Sequence, residues 1–206
     1  MQISDYIRDP CGSSSLPFWK AEQMPVPDHV LIVRDDQLSP DPKCTEGEPY
    51  FKLMHDLKSV GNPILPEGYQ IVQCGTKAFA RHINLCYSRE HVSPEELDSY
   101  QSHPVYRPEL WLAVADAENG QIAASGIAEL DTRIGEGVLE WIQVSPGCRR
   151  KGLGSFVVNE LLNRMRNQAA FVTVSGRMNN ESNPFQLYRS CGFGSPVIWH
   201  IIKTQK

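Results

Sequence analysis

Residues 138–155 read VLEWIQVSPGCRRKGLGS. The first seven alternate, with Val138, Glu140, Ile142 and Val144 on one face and Leu139, Trp141 and Gln143 on the other, the pattern of a strand. From Leu153 onward, Phe156, Val157, Leu161, Leu162 and Met165 recur at helical spacing over three turns. A strand therefore runs through a Ser-Pro bend and a basic, glycine-containing loop into a helix. That loop has the makings of an anion site, because its amides and the positive end of the helix point the same way. Arg149, Arg150 and Lys151 add three cations beside it. Two familiar phosphate loops are excluded. Leu153 and Gly154 stand after Gly152 where a P-loop needs Lys and Ser or Thr. Val157 occupies the third glycine position of a dinucleotide fingerprint.

Downstream, 171–175 (FVTVS) predicts a buried strand, Asn183-Pro184 a capped short helix, Gly192 its C-terminal stop, and 197–202 a final strand. Upstream, 110–115 and 122–130 are apolar strands joined through Asn119-Gly120, a tight-turn pair that makes them antiparallel neighbours. Ser93-Pro94-Glu95-Glu96 opens one helix, and Phe79, His82, Ile83 and Cys86 mark an earlier one after a strand at 69–74. The order from residue 68 is strand, two helices, three meandering strands, helix, strand, helix, strand. That is an α/β chain with a mixed sheet.

The first third differs. Nine of the fifteen prolines lie at or before Pro66, and residues 1–67 hold 11 acids against 6 bases, while 68–206 hold 13 and 14. Strands are expected at 29–34 and a strand or helix at 50–57, too little periodic structure for an independent core. Residues 1–67 are thus expected as a Pro-rich acidic extension or small subdomain. It either covers a cleft, where its charge would attract a cationic amine, or lies solvated on the surface.

The chain has 206 residues, with 41% hydrophobic and 21% charged, which suits an ordinary globular protein. No apolar run reaches the roughly 18 residues of a membrane span, and MQISDYIRDPCGSSS shows no secretory pattern. A cytoplasmic location is expected. A net charge of −4 argues against nucleic acid as a partner. Six cysteines and six histidines are scattered without paired spacing, so no metal site is expected.

The run Arg149 to Gly154 fits R-x-x-G-x-G. With LEWIQV before it, the amphipathic helix after it and LYRSCGF at 187–193, the chain resembles the GNAT superfamily of N-acetyltransferases over about residues 68–206. The resemblance implies a mixed, mostly antiparallel central sheet flanked by helices, with residues 1–67 as an N-terminal extension. It implies acetyl-CoA as co-substrate, held at its phosphates by Arg149, Arg150, Lys151, Gly152, Leu153, Gly154 and Ser155, and along its pantetheine arm by the backbone of Ile142, Gln143 and Val144. Adjoining strands part there in this family, leaving an opening for the thioester. Tyr188 matches the family's general acid. Glu140, placed on the face of Ile142 and Val144, is the candidate base for an amine-bearing acceptor, with His82 a second. The family's asparagine seven residues before the tyrosine is replaced by Glu181, with Asn180 eight and Asn183 five residues before it. Two readings follow: an acetyl-CoA-dependent N-acetyltransferase acting on a primary amine of a small molecule or peptide, or a non-catalytic acyl-CoA-binding regulatory module. The acceptor, the acyl chain length and the oligomeric state are not legible.

Overall fold

The computed structural model describes residues 1–38, 47–180 and 182–203. Eight strands form one sheet: β1 (Val30–Arg34), β2 (Glu48–His55), β3 (Tyr69–Val72), β4 (Trp111–Asp116), β5 (Ile122–Asp131), β6 (Glu136–Val144), β7 (Phe171–Arg177) and β8 (Gly194–Lys203). Their spatial order is β1-β8-β2-β7-β6-β5-β4-β3. Every neighbouring pair is antiparallel except β6 and β7, which run parallel. The helices are α1 (Ile3–Arg8), α2 (Phe18–Gln23), α3 (Thr76–Cys86), α4 (Pro94–Tyr100), α5 (Leu153–Met165) and α6 (Pro184–Ser190). None is long and apolar enough to cross a membrane among the described residues. The mixed, mostly antiparallel sheet with flanking helices is the architecture expected from the sequence.

The pleat assigns the faces. Adjacent residues point to opposite sides of a strand. Ser125 meets His82 of α3, while a Cβ on the next residue, Gly126, would strike Val157 and Leu161 of α5. Helices α1 to α4 therefore cover one face and α5 with α6 the other. The expected local signals act as predicted. Ser93 Oγ accepts the Glu96 amide at 3.1 Å to open α4, and Gly120 takes a φ of +70° in the β4–β5 turn.

The first third is knitted into this sheet. Strand β2 lies between β7 and β8 with β1 beyond, so the change of composition near residue 67 coincides with no break in the sheet. Phe18, Phe51 and Leu53 are fully buried, each worth about 1.5–3 kcal/mol on burial. A solvated arm would forfeit that energy. Neither α1 nor α2 carries a periodic signal, because each is only six residues long.

Polar contacts fix the docking. Buried Glu136 accepts from Tyr6 Oη at 2.5 Å, Thr173 Oγ1 at 2.6 Å and the Phe18 amide at 3.0 Å. Lys52 Nζ donates to Tyr6 Oη, Ser14 O and Leu16 O at 3.0, 3.0 and 2.8 Å. Burial lowers the Lys52 pKa to about 8 against the pull of Glu136.

Candidate active site

The parallel pairing of β6 with β7 begins at Glu136 and Phe171 and stops at Leu139 and Val174. Beyond that point β6 continues to Val144 and β7 to Arg177 without pairing with each other, so the sheet opens into a wedge. A β-bulge marks the parting. On β5, Ile127 faces Trp141 and Ala128 faces Leu139, which leaves Glu140 as the extra residue.

The bulge overturns one expectation. It shifts the alternation by one, so Glu140 does not share the face of Ile142 and Val144. Those two pack with Leu139 against the core beneath α5, while Glu140 reaches Lys20 of α2 on the opposite face, Nζ to Oε1 at 2.5 Å. Strand periodicity cannot reveal an inserted residue.

The edge of β6 in the wedge presents particular peptides. The Ser145 amide bonds Ala123 O on β5 at 2.8 Å, so by alternation the Gln143 peptide also turns to β5 and those of Ile142 and Val144 turn into the wedge. Ile142 O accepts Tyr87 Oη at 3.1 Å, and Val144 O accepts Arg149 Nε at 3.3 Å. Gln143 is not brought to the wedge. Its buried side chain donates to Ser125 Oγ.

At the end of β6 the basic loop folds as the local sequence predicts. Pro146–Cys148 form a 3-10 turn, Arg150 and Gly152 take φ of +63° and +84°, and α5 starts at Leu153. The alternation of left-handed and ordinary residues turns successive amides to one side, an anion-binding concavity. Among the described residues, the amides of residues 150–155 donate no hydrogen bond. Arg149, Arg150 and Lys151 are exposed. A Cβ at Gly154 would lie 3.2 Å from Leu187, so glycine there lets α5 and α6 approach closely.

Tyr188 comes from α6, whose start is capped by Asn183 Oδ1 on the Gln186 amide at 3.3 Å. Its ring packs against Phe51 and Phe193 at 6.0 and 5.7 Å between centroids. Its hydroxyl makes no hydrogen bond among the described residues. Burial, then the neighbouring Tyr87, raises its pKa well above the ordinary tyrosine value, so it stays protonated. Asn180 is spent on a local turn, accepting from the amide and hydroxyl of Ser182 at 2.9 and 2.7 Å. Glu181 lies outside the described residues.

His82 is held in a network rather than free to act as a base. Nδ1 meets Ser125 Oγ at 2.7 Å and Nε2 meets Ser145 Oγ at 2.9 Å. Burial lowers its pKa to about 4, which keeps it neutral.

A cavity of about 250 Å³ lies at the parting of the strands, between the sheet and the segment that carries α2. Its charged lining is Lys20, Lys52 and Glu140. Among the described residues, the first 67 thus bring two cations and no acid to this wall, contrary to the attraction of a cationic amine expected from their overall charge. Burial works against the Lys20 ammonium, but Glu140 and Glu129 outweigh it and hold its pKa above the ordinary lysine value. Glu129 accepts Trp19 Nε1 at 2.9 Å. Burial and then Glu140 push its pKa up to about 8. Sequence reasoning missed Lys20 and Tyr87. Neither sits in a motif, and Lys20 lies 120 positions from its partner.

The acetyltransferase (GNAT) family model matches residues 77–193. A GCN5-related N-acetyltransferase from Sphaerobacter thermophilus is 18% identical with a TM-score of 0.63, over 75% of this chain and 51% of that one. An acetyltransferase of the same family from Colwellia psychrerythraea is 18% identical with a TM-score of 0.57, over 84% and 64%. The ribosomal-protein alanine N-acetyltransferase of Escherichia coli is 18% identical with a TM-score of 0.51, over 67% and 96%. These likenesses are of fold, and the chain spans about half the length of the first. No curated protein sequence gives a significant match.

Proposed function

Because this chain belongs to the GNAT family of acetyltransferases, we propose that it moves an acetyl group from acetyl-CoA to a primary amine of a small molecule or peptide. The observation that carries the reading is the row of unpaired amides at residues 150–155, beside three exposed cations and the open edge of β6. Unmade backbone hydrogen bonds are costly unless a ligand or water completes them. A pyrophosphate supplies the acceptors and the negative charge that this loop lacks.

In this reading the loop from Arg149 to Ser155 holds the phosphates, and the wedge-facing peptides of Ile142 and Val144 orient the pantetheine arm. Gln143 contributes by holding Ser125 and the strand, not by touching the coenzyme. The Val144 amide is the donor available to the developing oxyanion, a contribution of a few kcal/mol for such groups. Tyr188 gives its proton to the departing thiolate, a task suited to a protonated phenol whose hydroxyl has no partner among the described residues. Glu140 takes the proton of the incoming ammonium.

The test is calorimetric titration of acetyl-CoA into the wild type and into Arg150→Glu and Lys151→Glu. Both side chains are exposed, so the fold is not at stake, whereas Gly152→Asp would add backbone strain at its positive φ. Binding that weakens in both variants supports the site. No binding to the wild type overturns it. Binding without thiol release across a panel of amines would favour the non-catalytic acyl-CoA module instead.

A further inference from the structure

The two lysines in the cavity wall differ in how their protons are used. All three donors of Lys52 have partners: Tyr6 Oη, Ser14 O and Leu16 O. Among the described residues Lys20 has one, Glu140 Oε1, and its ammonium is largely buried. An ammonium carries three donors, so two of those on Lys20 are left to the cavity. A buried cation with open donors is a site for an oxygen anion. Glu140 stands in contact with it, which places a positive and a negative group side by side at the parting of β6 and β7.

Resting on the acyl-transfer reading, we propose that the acceptor is a free α-amino acid with an apolar side chain, its carboxylate held by Lys20 and its amine by Glu140. An α-amino acid carries its two charges on one carbon, the spacing that an adjacent ammonium–carboxylate pair complements. An apolar part of the wall, formed by Leu16, Ile32, Val138, Trp199 and Ile201, is suited to the side chain, beside polar Ser15, Thr173 and Ser175. The volume of about 250 Å³ admits one amino acid. A polyamine or aminoglycoside offers several cations and no anion, and would meet Lys20 and Lys52 as like charges.

The step balances without a further reagent. The ammonium yields one proton to Glu140, the freed nitrogen bonds to the thioester carbon, and the carbon–sulfur bond breaks as that nitrogen gives its second proton to solvent. Tyr188 protonates the sulfur, giving the N-acetyl amino acid and free thiol. Proton return to Tyr188 and from Glu140 passes through solvent.

The experiment measures kcat/KM at saturating acetyl-CoA for leucine, phenylalanine, their amides and spermidine. The free acids are expected to exceed their amides by about ten- to a hundredfold, the worth of a charge-assisted hydrogen bond. Lys20→Met should bring the acid-to-amide ratio near one, and Lys20→Arg should retain most of it. Effects on folding and the differing basicity of the two amines cancel when each variant's ratio is compared with that of the wild type, so the change in ratio reports carboxylate recognition. An amide that matches its acid in the wild type, spermidine as the best substrate, or no amino acid acetylated by a protein that binds acetyl-CoA each overturns the inference. Absence of acetyl-CoA binding overturns the acyl-transfer reading beneath it.

Discussion

The closed and open ends of the β6–β7 pair form a contrast within a few residues. At the closed end Glu136 receives three hydrogen bonds and Lys52 donates three, and the strands are fully paired. At the open end Lys20 has one partner, the Tyr188 hydroxyl has none, and the amides of residues 150–155 are unpaired among the described residues. The same kinds of group thus do opposite things. Satisfied buried charges cement the first 67 residues to the sheet, and in the proposed reading the unsatisfied groups of the open end are where a ligand completes the structure.

Breaking the closed end should have the largest effect. Glu136→Ala strands Tyr6, Thr173 and the Phe18 amide and leaves Lys52 as an uncompensated buried cation. A loss of about 3–5 kcal/mol is expected in urea unfolding, and a loss below about 1 kcal/mol would remove the closed end as the anchor.

At the open end the largest effect belongs to catalysis. Tyr188→Phe keeps the ring and should leave stability nearly unchanged while lowering kcat by about a hundredfold or more. Steady-state kinetics on the folded variant checks this, and an unchanged kcat would make Tyr188 a packing residue only.

Glu129 stands on β5 opposite Val138, and its carboxyl sharpens the comparison through pH. Its pKa is pushed up to about 8, above the unfolded value near 4.5. Between those values the folded chain holds a proton that the unfolded chain has released, so this group lowers stability as pH rises through the window. Glu129→Gln should flatten that part of the stability-against-pH curve, which thermal unfolding at a series of pH values would reveal. His82 contributes the opposite slope below pH 6.5, because its folded pKa of about 4 means that acid favours the unfolded chain.

The smallest expected effect is at the exposed loop. Arg150→Glu should weaken acetyl-CoA binding by about tenfold, near 1.4 kcal/mol, and the loss should shrink at high salt because the contact is solvent-screened. A salt-independent loss would point to a distorted loop instead.

Much of this molecule was legible from its amino acids. Helix α5 matches its periodic span, and the antiparallel β4–β5 turn follows from Asn119-Gly120. The caps at Ser93 and Asn183 and the glycine-rich basic loop were also local matters, decided by side-chain spacing and backbone freedom within a few residues. Tertiary structure decided the rest. The placement of β2 between β7 and β8 depends on hydrogen bonds to strands more than 100 positions away, which no local pattern records. The bulge at Glu140 is a mismatch between two strands and exists only once they pair. It turns Glu140 away from Ile142 and Val144 and toward Lys20. The acidic balance of residues 1–67 suggested attraction of a cationic amine, yet among the described residues folding brings only Lys20 and Lys52 of that segment's charged groups to the cavity wall. Net charge belongs to the chain, whereas the field inside a cavity belongs to whichever side chains the fold brings to its wall.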